Sequence, residues 1–493
     1  MGDEIFNLAE YVLTSADAPE DKVALSVLES GSRDDWSYGR LTAAVRGTAT
    51  GLSSIGLVPG DVILMRLGNR PDFPIAYLGA LAAGLVPVPT AAALTAPEVA
   101  KIIETLQPRA ILRDPDVACP ESNVILPLEA LRAMRGLPGL DWHRGDPERL
   151  GYIIFTSGTS GKPSAVMHAH RAILARRMMF QGWYGLTATD RLLHAGAFNW
   201  TYTLGTGLMD PWTLGATALI PAPGTKAEDL PELLKTHRAS IFAAAPGVYR
   251  QMLKTKGPLD LPALRHGLSA GEKLPQSVRE AFEAATGCAI YEAYGMSECS
   301  TFISGCPDRP ARAGTLGQPQ EGRRVAILGP EGPVETGEPG TIAVHRSDPG
   351  LMLGYLDDPQ GTATRFQGDW FLTGDQGVMD EAGQITYLGR ADDMMNAGGF
   401  RVSPLEIESV LQTHEGVEAV GCAEVEVKED VTVIAAFYTG PEPIHEAELA
   451  DFAKARLARY KQPRIYRHLE TLPTGANGKL QRRALRQLWK EQQ

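Results

Sequence analysis

Cysteine is scarce in this chain. There are five among 493 residues, Cys119, Cys288, Cys299, Cys306 and Cys422, scattered and without a C-x-x-C pair. That spacing argues against a disulfide framework or a structural zinc site and leads to the expectation of a reducing compartment. Long apolar runs are also missing. The most apolar stretch, Ile75 to Pro89, is broken by Gly79, Gly84 and Pro87; it is too short to span a bilayer and reads as a buried helix followed by a strand. There is no excess of positive charge: 47 Lys and Arg face 59 Asp and Glu, a net charge of -12. Nucleic-acid binding needs a broad basic face, so that class is disfavoured, whereas a small phosphorylated ligand needs only a local donor cluster. The opening Met1-Gly2-Asp3-Glu4 has no basic segment leading into an apolar one, and Phe6 stands where a myristoylation motif has Ser or Thr. The expectation is a cytoplasmic protein, monomer or homodimer, with neither membrane nor nucleic acid as partner.

What is present is an alternation of helical and strand patterns over the first 390 or so residues. Leu41 to Leu52 has helical spacing, Pro59-Gly60 turns the chain into Val62-Ile63-Leu64-Met65, and the pattern recurs at Ala96 to Thr105 and Ala110 to Leu112. Apolar strands between amphipathic helices predict a layered α/β fold with a largely parallel sheet. After about residue 320 the texture changes, and turns at Gly329-Pro330-Glu331-Gly332 and Gly337-Glu338-Pro339-Gly340 predict a small β-barrel-like subdomain. A boundary is expected after Arg390, dividing the chain into 1–390 and a small α+β domain at 391–493. Within the latter, Ser403-Pro404-Leu405-Glu406 predicts a capping box, with Ser403 as N-cap. Strands are expected around Val425 and Val431 to Ile434, and a helix from Glu446 to Leu457.

The strongest local signal is Tyr152-Ile153-Ile154-Phe155, a strand pattern, running into Thr156-Ser157-Gly158-Thr159-Ser160-Gly161-Lys162. Glycines let backbone approach a ligand, and successive N–H groups and hydroxyls can ring an anion. A Walker A loop is excluded, because Thr156 stands where that motif needs Gly and Pro163 where it needs Ser or Thr.

The loop resembles instead the phosphate loop of adenylate-forming (AMP-binding) enzymes, the superfamily of acyl- and aryl-CoA ligases, amino-acid adenylation domains and beetle luciferase. Further motifs follow in that family's order and cover nearly the whole chain. Tyr291-Glu292-Ala293-Tyr294-Gly295-Met296-Ser297-Glu298 resembles its fifth core motif. The resemblance implies that Tyr294 flanks adenine, Ser297 meets the α-phosphate, and Glu298, with Thr159, holds Mg²⁺. Gly271, Glu292, Ala293, Gly295 and Met296 are carried over as further ATP-binding positions. Leu372-Thr373-Gly374-Asp375 resembles the motif whose carboxylate accepts both ribose hydroxyls, and Gly389-Arg390-Ala391-Asp392 the next, with Arg390 near ribose or phosphate and Asp392 at the hinge. Pro473-Thr474-Gly475-Ala476-Asn477-Gly478-Lys479 resembles the last, in which Lys479 bridges the substrate carboxylate and the α-phosphate. A cation between two anions relieves charge in the transition state. Gly398, Gly399, Phe400, Arg401 and Lys461 match positions that meet coenzyme A. One departure is plain: Ser164-Ala165 replaces the usual Lys-Gly after Lys162-Pro163.

The implied activity is ATP-dependent ligation of a carboxylic acid to CoA through an acyl-AMP. Two alternatives stand beside it: loading of an acyl carrier protein, and a catalytically silent nucleotide-binding protein of the same fold. By the same resemblance the acyl pocket falls to Phe198, Trp200, Tyr202, Ala270, Gly295 and Met296, although Trp200 and Tyr202 read equally as packing residues. Acetate-specific relatives close the pocket with Trp where Gly295 stands, and amino-acid adenylation domains usually place Asp where Asn199 stands. Trp200, Asp210-Pro211-Trp212 and Asn396 resemble medium-chain and benzoate-type ligases. An aromatic or medium-chain acid is therefore the expected substrate.

Overall fold

The computed structural model describes residues 5–29, 32–156, 164–254, 257–391, 393–397, 400–428, 431–475 and 480–491. For 156, 396, 397, 400, 401 and 431 the description is of the backbone alone. The chain forms two compact units, Met1–Arg324 with Val344–Trp370, and Val325–Ala343 with Phe371–Gln493.

The first unit is built on a nine-stranded sheet. Its middle six strands, Ile290–Met296, His266–Ala270, Ile241–Ala244, Arg191–His194, Thr217–Pro221 and Val23–Glu29, are parallel neighbours in that order. Ile241–Ala244 is buried at every position, as expected of parallel strands covered on both faces, which is why it reads as one apolar run. Antiparallel strands Ser300–Ser304 and Ser32–Ser37 flank the six. A second sheet is wholly parallel, in the order Val86–Pro89, Val62–Arg66, Ala110–Arg113, Ile125–Pro127. The broken apolar stretch becomes the fully buried helix Asp72–Ala82, and Gly84, at φ +76°, turns the chain into Val86–Pro89. Only glycine takes that backbone conformation without cost. Helix Tyr38–Ser54 packs so closely on it that a Cβ on Gly79 would lie 2.9 Å from Thr48. A third, antiparallel sheet pairs Leu150–Thr156 with Ser164–Ala169, and the latter with Gly354–Tyr355.

A half-barrel-like sheet, nearly all of it second-unit residues, sets Val325–Gly329, Pro339–His345 and Trp370–Met379 side by side, and Ile385–Arg390 pairs with the last. The second unit also holds the sheet Ala419–Lys428, Val431–Thr439, Ile465–His468. Even-numbered residues Cys422, Ile434 and Ala436 join one core with Ile407 and Leu449 of helices Pro404–Leu411 and Glu446–Lys454. Odd-numbered Ala423, Val425, Ala435 and Phe437 join another with Leu485 of helix Arg482–Glu491. The period of two thus divides one sheet between two layers.

The sequence expectation of a capping box at Ser403 needs correction. Ser403 is the N-cap, but its hydroxyl donates to the Leu388 carbonyl and makes no capping bond. Glu406 forms an ion pair with Lys461 instead. The neighbouring Glu408 is buried, accepting from Arg482 at 2.6 and 2.8 Å and from the Cys422 N–H at 2.6 Å. Removing one side of a buried ion pair costs far more than breaking a half-exposed one. Glu408→Ala should lower unfolding free energy by about 3–5 kcal/mol and Glu406→Ala by under about 1 kcal/mol, measured by urea denaturation. Equal losses would contradict the assigned partners.

Candidate active site

In the first unit, parallel pairing delivers four strands to one edge, where ligands bind in open α/β sheets. The segments following them are Ala195 to Trp200, Ala245-Pro246, Gly271 and the turn after Met296. Trp200 lies across the end of strand His266–Ala270. A Cβ on Gly271, which has φ +95°, would stand 2.3 Å from its indole ring, so close approach and backbone conformation both require glycine. Tyr202 is buried, edge-on to Trp200 at 5.2 Å and to His194 at 4.4 Å, with its hydroxyl donating to the Leu268 carbonyl at 3.1 Å. Phe198 packs its ring against Phe73, 5.7 Å away, inside the core. Asn69, which no sequence motif marks, grips this loop: it donates to the Gly196 carbonyl at 2.8 Å and accepts from the Phe198 N–H at 2.9 Å. Ala270 is buried in the same cluster as Tyr202 and Trp200.

Strand Ile290–Met296 carries the next group. Glu292 is buried and accepts from the Leu274 N–H at 2.8 Å and from Arg279 at 3.2 Å. Burial pushes its carboxyl up, and those two donors pull it back. Tyr294 is half-buried and meets Phe302 edge to face at 5.3 Å. Ala293 pairs with Ser304, Gly295 with Thr301, and Met296 with Ser300 across a hairpin. A Cβ on Gly295 would lie 2.2 Å from the Ser300 carbonyl oxygen, so the hairpin backbone by itself demands glycine there.

The turn between the hairpin strands holds Ser297 and Glu298. The Ser297 carbonyl is 2.7 Å from His168 Nε2, the Glu298 carbonyl accepts from the Met352 N–H at 2.8 Å, and Glu298 Oε1 accepts from the Tyr355 hydroxyl at 2.8 Å. Tyr355 gives no sequence signal, since only the pairing of Gly354–Tyr355 with Val166 and Met167 brings it here. No group of three or more His, Cys, Asp or Glu suited to a metal occurs among the described residues. One carboxylate suits Mg²⁺ all the same, because that ion is commonly held by one or two carboxylates together with substrate phosphates and water. Strands Leu150–Thr156 and Ser164–Ala169 pair through Thr156 and Ser164. Ser157, Gly158, Thr159, Ser160, Gly161 and Lys162 lie outside the described residues.

In the second unit the structure brings Asp375 and Arg390 together. They are register partners, with Nε 3.4 Å from Oδ1, and the Tyr387 hydroxyl is 3.5 Å from the same oxygen. Met395–Ala397 pairs with Phe400–Val402, which sets Asn396 opposite Arg401 on the backbone. Lys461 is ion-paired to Glu406. Thr474 and Leu480 form a bridge. Lys479, Asp392, Gly398 and Gly399 lie outside the described residues.

Burial also fixes protonation around the first unit's site. Loss of solvent pushes His168 and His266 down to about 4 and His170 and His194 down to about 3, from an ordinary 6.5. His168 at neutral pH is therefore uncharged, and Nε2–H can donate to Ser297. The unfolded chain binds these protons first, so stability drains away as pH falls from 6.5 toward 4. Neither ring nitrogen of His194 has a hydrogen-bond partner. His194→Phe should therefore flatten the slope of unfolding free energy between pH 6.5 and 5 by up to about 1.4 kcal/mol per pH unit. An unchanged slope would contradict a buried neutral ring.

Known proteins give the same outline. Residues 13–356 match the family model "AMP-binding enzyme" and residues 406–479 the "AMP-binding enzyme C-terminal domain". The chain is 30% identical to a 3-hydroxybenzoate–CoA ligase of Aromatoleum sp. (strain CIB), over 92% of each chain. It superposes on ATP-bound MatB from Rhodopseudomonas palustris with a TM-score of 0.89 and 25% identity, covering 98% of this chain and 99% of that one. On the anthranilate CoA ligase AuaEII, solved with anthranoyl-AMP, the TM-score is 0.87 at 25% identity, with 98% and 97% covered. With its strand-edge site, its Asp375–Arg390 pair and both family models matched in order, the chain belongs to the AMP-binding enzyme family.

Proposed function

We propose that this protein is an ATP-dependent carboxylic acid:CoA ligase that forms an acyl-AMP and then an acyl-CoA thioester, with a benzoate-like or medium-chain acid as substrate. The observation that carries the reading is the braced Ser297–Glu298 turn beside Tyr294, in a chain matching an aryl-CoA ligase over 92% of both lengths. The half-buried indole of Trp200 across Gly271 supplies an apolar wall, which favours a ring or a medium-length chain over an acyl group that carries a second charge.

The chemistry divides in two. A carboxylate oxygen bonds to the α-phosphorus of ATP while the bond to the β-phosphate oxygen breaks and pyrophosphate leaves. Tyr294 stacks on adenine, Asp375 accepts the ribose hydroxyls with Arg390 beside it, and Ser297 hydrogen-bonds the α-phosphate. Ser157 to Lys162 wrap the outer phosphates with backbone N–H groups and a cation. Lys479 neutralises the approach of one anion to another. Mg²⁺, held by Glu298 with Thr159, would supply charge neutralisation on the phosphates. In the second half a thiolate attacks the acyl carbon, the bond to the AMP oxygen breaks, and AMP leaves. Residues 391–493, hinged at Asp392, turn between the halves, and Gly398, Gly399, Phe400, Arg401 and Lys461 serve CoA. A cytoplasmic location fits, and no helix among the described residues is long and apolar enough to cross a membrane.

The test is pyrophosphate and AMP release from Mg·ATP with acetate, butyrate, octanoate, benzoate, hydroxybenzoates and aminobenzoates, each with and without CoA. Turnover should favour aromatic or medium-chain acids, accelerate with CoA and end in a thioester. Acetate as the best substrate would overturn the substrate class, and pyrophosphate release indifferent to CoA would overturn CoA as acceptor.

A further inference from the structure

Two buried guanidinium–carboxylate pairs aim at the same short stretch behind the Ser297–Glu298 turn. Arg176 meets Asp210 through two bonds, Nε to Oδ1 at 2.8 Å and Nη2 to Oδ2 at 2.7 Å, and the Asp210 carboxylate is fully buried. Tyr184 donates to Asp210 at 2.7 Å, and Thr206 bonds both Tyr184 and Arg176. The remaining nitrogen, Nη1, donates to Ser300 Oγ at 2.8 Å. The second pair, Arg323 and Asp348, has no exposed side-chain surface, and Arg323 Nη2 donates to the Thr301 carbonyl at 2.9 Å.

Several features of the chain accommodate the first pair. Phe180–Tyr184 and Gly205–Met209 are π-helical turns, carrying Tyr184 and Thr206 respectively; such turns are frequent at functional sites. A Cβ on Gly205 would stand 2.1 Å from the Arg176 guanidinium carbon. Ser300 itself has φ +63°, a left-handed conformation that a non-glycine residue adopts only when its surroundings enforce it. A buried ion pair is seldom a net gain in stability over apolar packing of the same volume. The arrangement makes better sense as a means of holding backbone in place.

We propose that Arg176, neutralised by Asp210, is a positioning residue for adenylation: it pins Ser300 in its strained conformation and thereby fixes Ser297 and Glu298 against ATP. The inference rests on the proposed ligase activity. The effect of Arg176 is carried by its hydrogen bond to Ser300.

Removing Arg176 leaves a buried carboxylate unpaired and endangers folding, so the test is made at Ser300. Acid-dependent ATP–pyrophosphate exchange, thioester formation from supplied acyl-AMP, and thermal midpoint are compared for the parent, Ser300→Ala and Ser300→Gly. Alanine bears the same cost for a left-handed backbone and loses the anchor that holds it there. Losing a bond to a charged donor should lower kcat for exchange by about 10-fold or more. KM for ATP, thioester formation and thermal midpoint should stay at parental values. Glycine adopts φ +63° without an anchor and should recover most of the lost kcat. A parental kcat in Ser300→Ala, a glycine variant no better than alanine, or a fall in thioester formation equal to that in exchange would each overturn the proposal. A parent silent in exchange would instead sink the ligase reading.

Discussion

Parallel pairing of the six middle strands in the first unit is the constraint from which its site follows. Parallel strands need crossovers, so their C-terminal ends gather at one edge, and each ends with backbone groups that the ladder no longer satisfies. Groups from elsewhere in the chain must take them up. His168 does so for Ser297, Met352 for Glu298 through its own backbone, Arg323 for Thr301, and Asn69 for both Gly196 and Phe198. The edge is thereby rigid where chemistry on an anionic substrate needs fixed dipoles rather than mobile ones.

The same constraint explains the unusual polarity of the interior. Arg176, Asp210, Arg323 and Asp348 are buried, and groups of this kind enter a core only when each charge is matched. Arg176 Nη1 donates to the Ser300 hydroxyl, and Arg323 Nη2 to the Thr301 and Ala175 carbonyls. The buried imidazoles are kept neutral by lack of solvent, so the interior around the turn carries paired charge and no loose protons near neutrality. Gly205, Gly271 and Gly295 leave space that a Cβ would take from a guanidinium, an indole and a carbonyl.

Much of this was legible in the sequence because local chemistry decides it. The α/β alternation, helix Ala96–Leu106 and strand Val62–Arg66 follow from periodicity. Asp375 and Arg390 fall in two separate motifs, and the structure pairs them in register. The capping box failed because a tertiary acceptor, the Leu388 carbonyl, outcompeted the local helix N–H groups for the Ser403 hydroxyl. Tyr355, Asn69 and Arg176 were not legible, since each acts across 57, more than 100 and 124 residues of sequence on Glu298, the 196–198 loop and Ser300. The close backbone approach at Gly295, where the nearest atoms to a Cβ belong to the hairpin, is likewise invisible to a motif. Long-range hydrogen bonds and backbone approach leave no periodic trace in a single chain.

Everything in the proposed chemistry turns on attack of a carboxylate oxygen at the α-phosphorus. That attack is tested most directly with benzoate or octanoate labelled with ¹⁸O in both carboxyl oxygens, whichever is turned over, followed by mass spectrometry of the products. The account predicts one labelled oxygen in AMP and none in pyrophosphate. Label in phosphate or pyrophosphate, or AMP formed without label during thioester synthesis, would contradict it.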